Sequence, residues 1–170
     1  MSGKSLKSWF ALVIAVAIAL VWSLLGKYYL FYQPILPLSV TNTEIDDWLA
    51  DIFWLNNIIS LVLGFLLLGF WIFKAYNKQF IRAELVLAKR FTWWLSALFH
   101  FFACLLIFFG TSYFLDWLDE GRYIEFWLWY PGCLLLDTLL IFWLPSALAT
   151  PRSLRNIPPL AIKLRKFYGG

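Results

Sequence analysis

Four apolar runs, each long enough to cross a lipid bilayer, take up most of this 170-residue chain. A helix rises about 1.5 Å per residue, so roughly 20 apolar residues cover the ~30 Å hydrocarbon core. The runs lie at about residues 9–25, 52–73, 91–115 and 126–148. In hydrocarbon a chain must satisfy its own backbone N–H and C=O groups, and a helix does so within one segment. The expectation is an all-α membrane protein, a four-transmembrane antiparallel helical bundle spanning residues 1–148. Residues 149–170 follow as a basic cytoplasmic tail. Only 14% of the residues are charged, against about 25% in soluble domains, and no connection leaves room for a soluble domain. Aromatic residues reach 21%, as expected when Trp and Tyr form belts at both interfaces.

Charge sets the orientation. The first run follows Lys4 and Lys7 and reads as an uncleaved span. It exceeds the usual ~7–15-residue core of a signal peptide, and Lys27, Tyr28 and Tyr29 follow it. The N-terminal segment, the 74–90 connection and the tail together hold twelve Lys and Arg against one acid, Glu84. The other two connections hold Lys27 and Arg122 against eight acids. The positive-inside rule then puts both termini in the cytoplasm of a multi-pass inner-membrane protein. The same layout explains the isoelectric point near 9.1 without a nucleic-acid partner.

Local signals refine the helices. Pro34 and Pro37 interrupt the first external connection. Thr41 and Glu44 have capping-box spacing, so a helix should start near Asn42 and run into the second span. Pro131 is expected in the first turn of the buried fourth helix, and Pro145 should kink its inner end. Ala11, Ala15, Ala19 and Ser23 recur every four residues, as do Asn56, Ser60 and Gly64. Such stripes share one helix face and let another backbone come close. The expected neighbours are other helices of the bundle or, in a homo-oligomer, a second copy.

The candidate site centres on Asp137, in the middle of the fourth run. A carboxylate there costs about 2.5–3.5 kcal/mol on insertion scales, so it needs a partner, a cavity or a proton. The third and fourth spans are joined by a short turn and should be antiparallel neighbours. Aligning their terminal charges puts Asp137 level with Cys104, His100 about one turn nearer the cytoplasm and Cys133 about one turn nearer the outside. Three readings follow for His100, Cys104, Cys133 and Asp137. In the first, His100 and Asp137 make interhelical hydrogen bonds, Asp137 in its protonated form, and the thiols are apolar fillers. In the second, Asp137 and His100 relay protons or ions. The third is a zinc or copper site, though the ligand spacing matches no metal motif.

No catalytic motif is present, and one His cannot ligate haem from both faces within a single chain. The expectation is a non-enzyme with no metal and no cofactor. Arg152, Arg155, Lys163, Arg165 and Lys166 would meet a cytoplasmic protein or anionic lipid. The expected function is a small membrane subunit that self-associates and anchors or signals to a cytoplasmic partner. The alternatives are a channel or transporter subunit using Asp137 and His100, and a membrane immunity or defence factor.

Overall fold

The structure, a computed structural model, describes residues 3–33, 35–36, 38, 40–76, 83–118, 124–151, 154 and 157–167, with 3–8, 83–85 and 165–167 as backbone alone. The described residues are 88% helical and contain no strand. Four helices are long and apolar enough to cross a membrane: α1 (Trp9–Tyr32), α2 (Asn42–Tyr76), α3 (Val86–Phe114) and α4 (Ile124–Ala149). A short helix, α5 (Ala161–Phe167), follows.

The helix ends follow local chemistry. α1 does not stop at Leu25 but continues through Lys27 to Tyr32. A lysine ordinarily marks the edge of a span, but here its charge is neutralised inside the fold, so the helix runs on. It ends at Gln33, which is extended (φ −87°, ψ 152°), as befits a residue before proline. α2 starts where the capping box is satisfied: the Thr41 hydroxyl accepts from Glu44 N–H, and Glu44 Oε2 accepts from Thr41 N–H at 2.9 Å. Its 35 residues span about 52 Å, well beyond the ~30 Å of hydrocarbon. α3 ends at Phe114, and Asp116 turns the chain with φ 55°, a conformation that Asp tolerates better than most residues.

Pro131 lies in the interior of α4 rather than in its first turn, because the helix begins at Ile124. Ahead of Pro145 the helix is wound as a π turn over Thr138–Trp143 rather than broken. Among the described residues two other π turns occur, at Trp22–Gly26 in α1 and Leu49–Phe53 in α2.

Adjacent helices are antiparallel. Ser23 of α1 meets Asn57 of α2, Asn56 of α2 meets Thr111 of α3, and His100 of α3 meets Thr138 of α4. α2 and α4 touch across the short diagonal, with α1 and α3 on either side. α4 is the central helix: 61% of its apolar segment is buried, against 22–33% for the others.

One end of the bundle carries exposed Asp46, Asp47, Asp51 and Asp116, and is called the acidic end. The other carries exposed Lys74, Arg90 and Lys163, and is called the basic end. An aromatic core fills the acidic half, where Trp48 stacks on Phe126 and Phe108 on Tyr130, both at 4.4 Å. A second core fills the basic half around Leu68, Trp71, Trp93 and Phe142.

The chain after α4 is not a free arm. Leu154 and Ile157, each 2% exposed, pack into the basic-half core, and Ala161 is fully buried. Trp143 donates to the Pro159 carbonyl at 3.1 Å, and Leu164 packs with Ala11, Ala15 and Leu148. Of the tail's expected contact residues, Lys163 is exposed. Arg152 and Arg155, and the side chains of Arg165 and Lys166, lie outside the described residues.

Candidate functional site: a buried ion pair

A polar layer separates the two cores. The small stripe of α1 creates it: Ala11, Ala15, Ala19 and Ser23 are 3%, 2%, 0% and 0% exposed and pack against α4. The stripe is therefore used within one chain and is not a surface for a second copy. Small side chains let the α1 backbone approach α4 closely, and Lys27, one i+4 step beyond Ser23, is carried inward with them.

Lys27 Nζ lies 2.6 Å from Asp137 Oδ2, and both side chains are fully buried. Ser60 Oγ donates to the same oxygen at 2.9 Å, and Trp22 Nε1 donates to Asp137 Oδ1 at 2.9 Å. Both carboxylate oxygens are thus bonded, one of them to a cation. Three helices, α1, α2 and α4, meet at this one carboxylate. Each charge alone would cost about 2.5–3.5 kcal/mol in mid-bilayer; paired, neither faces hydrocarbon uncompensated. The expected interhelical hydrogen bonds of Asp137 and His100 are present, but they run to Ser60, Trp22 and Thr138 rather than to each other, and the Lys27 ammonium stands beside Asp137 in place of a neutralising proton.

Gly26 positions Trp22. A Cβ at Gly26 would come within 2.8 Å of Trp22 Cε3, so bare backbone there makes room for the indole. The π turn at Trp22–Gly26 contributes as well. Wider winding leaves carbonyls without their usual partners, and the Ser23 carbonyl accepts from Asn57 Nδ2 at 2.6 Å.

His100 is fully buried and joins the layer through Ser60 rather than through Asp137. Its Nε2 lies 3.0 Å from the Ser60 carbonyl, and its Nδ1 lies 2.8 Å from Thr138 Oγ1. A carbonyl only accepts, so Nε2 carries a hydrogen. The single hydrogen of the Thr138 hydroxyl is shared between two acceptors, Nδ1 of a neutral imidazole at 2.8 Å and the Leu134 carbonyl at 3.1 Å. The expected register is displaced by roughly one turn. His100 sits beside Thr138, because the helix ends Phe114 and Ile124 set the alignment of α3 and α4, not the outermost charges. Gly64 completes the layer. A Cβ there would lie 2.5 Å from Ile141 Cγ2 and 3.0 Å from His100 Nε2, so α2 can approach α4 and the imidazole only as glycine.

The two cysteines border the layer from the acidic side, where Cys104 lies beside Ser60. Cys104 and Cys133 are free thiols, each 3% exposed, in the aromatic core of the acidic half. Among the described residues no three His, Cys, Asp or Glu side chains converge to hold a metal ion. His100, Cys104, Cys133 and Asp137 therefore do not form a ligand set. Asn56 faces α3, donating at 2.9 Å to both Thr111 Oγ1 and the Ile52 carbonyl. Ser60, expected as a packing residue, is the connector between Asp137 and His100.

Lys27 and Trp22 are the members that sequence reasoning missed. The available signal was the stripe itself: a lysine at the next four-residue step is drawn into the face that the alanines bury. No protein family, curated protein or solved structure matches the chain.

Proposed function

We propose that the protein is a small non-enzymatic membrane subunit whose polar layer locks four helices into a fixed frame for a cytoplasmic partner. Both termini are assigned to the cytoplasmic side of the inner membrane, because the basic end then faces inward. One observation carries the reading: the intramembrane charges are used up within the fold. Lys27, Trp22 and Ser60 occupy both oxygens of Asp137, and the chain after α4 packs Leu154 and Ile157 into the basic-half core. Such a centre joins helices. Exposed Lys74, Arg90 and Lys163 then form a positive platform at the basic end. Self-association loses its sequence basis, since the alanine stripe is internal, and is not part of the proposal.

The test is a pair of photocrosslinking residues, one at position 163 and one at position 46, in living cells. The expected result is a discrete protein adduct at 163 and none at 46. Equal adducts at both positions, or none at 163, would overturn the reading. Separately, reporter fusions at either terminus should be active only in the cytoplasm.

A second reading, a proton or ion relay, is favoured by one contact: Ser60 touches both Asp137 and His100. It requires ion flux in proteoliposomes of the purified protein that His100→Gln abolishes without loss of folded protein. A flux indistinguishable from empty liposomes excludes it.

A further inference from the structure

Buried polar atoms in this bundle are satisfied unevenly. Toward the basic end from the ion pair, those of the described residues are paired. Trp71 Nε1 donates to Thr150 Oγ1 and Trp93 Nε1 to Ser146 Oγ, both at 2.9 Å. The hydroxyls of Ser146 and Thr150 donate in turn to the Trp143 and Ser146 carbonyls.

The opposite holds elsewhere. Ser23 Oγ, Asn56 Oδ1, Asn57 Oδ1, Ser112 Oγ and Tyr130 Oη are buried and have no protein hydrogen-bond partner. All five belong to residues level with the ion pair or nearer the acidic end. Their residues are at most 3% exposed, so bulk solvent does not reach them from outside.

Magnitude decides what this means. An unsatisfied buried polar group pays its full desolvation penalty. Five such penalties are comparable to the whole stability of an ordinary domain. A bundle left in that state would not be worth folding, and hydrocarbon offers no relief from outside. Water inside the acidic half would supply the missing partners, since buried water typically makes about three such bonds.

The orphaned atoms are grouped suitably for it. Asn57 Nδ2 holds the Ser23 carbonyl at 2.6 Å, which brings Asn57 Oδ1 and Ser23 Oγ to the same junction of α1 and α2. Lys27 is one turn along from Ser23 on the same face, and its Nζ lies 5.9 Å from the centre of the Tyr130 ring. An ammonium has three donors, and Asp137 Oδ2 takes one.

We propose that the acidic half of the bundle holds resident internal water that hydrates the Lys27–Asp137 pair from that side, while the basic half is dry. The ligand is water, held by Ser23, Asn57, Lys27 and Tyr130. The pair is then hydrated from the acidic side and sealed from the basic side by His100, Thr138 and Ile141.

The experiment is X-ray radiolytic hydroxyl labelling of the full chain in lipid nanodiscs, with each residue's rate normalised to the unfolded protein. Water radiolysed in place modifies the side chains beside it. Tyr130, fully buried, should label several-fold faster than Trp93, which is equally buried in the basic half. Equal protection of Tyr130 and Trp93 would overturn the proposal.

Discussion

Removing Asp137 alone should do more damage than removing it together with Lys27. In Asp137→Leu the Lys27 ammonium stays fully buried without a carboxylate, and breaking a buried pair from one side costs about 3–5 kcal/mol. Trp22 Nε1 and Ser60 Oγ lose their acceptor as well, at about 1 kcal/mol each. Asp137→Asn belongs to the same class, because an amide keeps the shape but leaves the ammonium unpaired. Had Asp137 been a neutral group bonded to His100, that substitution would have been nearly silent. Lys27→Met should likewise cost about 3–5 kcal/mol by stranding the carboxylate. The double variant Lys27→Met/Asp137→Leu removes both charges from a site with 0% exposure at each residue. Replacing a buried pair by apolar residues is often neutral or stabilising by about 1–4 kcal/mol. The cycle should therefore show a coupling of at least about 3 kcal/mol, more than a hundredfold in the folding equilibrium. Internal water at Lys27 moves the single-variant costs toward the lower end of their range. The assay is reversible unfolding in mixed micelles with rising SDS, followed by Trp fluorescence. Additive losses in the double variant, or a silent Asp137→Asn, would refute the reasoning.

Three further outcomes are expected. Gly64→Ala should destabilise by about 1–3 kcal/mol through overpacking, since its Cβ would meet Ile141 and His100, whereas Gly132, with nothing within 4 Å, should accept Ala without loss; equal melting of both variants would show that the close contact is not tight. Thr41→Ala removes the capping box and should cost about 1 kcal/mol, seen as faster amide exchange over the first turn of α2 alone. Deleting residues 156–170 takes Ile157 and Ala161 out of the core, so the shortened chain should insert but melt at a lower temperature; an unchanged melting profile would mean that the tail does not brace the basic end.

Hydrophobicity along the chain was enough to find four spanning helices, because each run satisfies its own backbone and must cover the same thickness of hydrocarbon. The start of α2 was equally legible, since a capping box is made by residues three apart. Asp137 stood out as a group that must be compensated. What compensates it was not legible. Lys27 looked like an interfacial lysine because its charge was judged against its immediate neighbours. Its partner lies 110 residues away and becomes its partner only when the alanine stripe draws α1 onto α4. The level of His100 likewise depended on where α3 ends and α4 begins: a shift of about one turn brought it level with Asp137 and Thr138, and the helix faces that pack together decide that it bonds Thr138. Local composition determines which segments enter the membrane, whereas the identity of a buried charge's partner is a property of helix packing, and only the tertiary structure decides it.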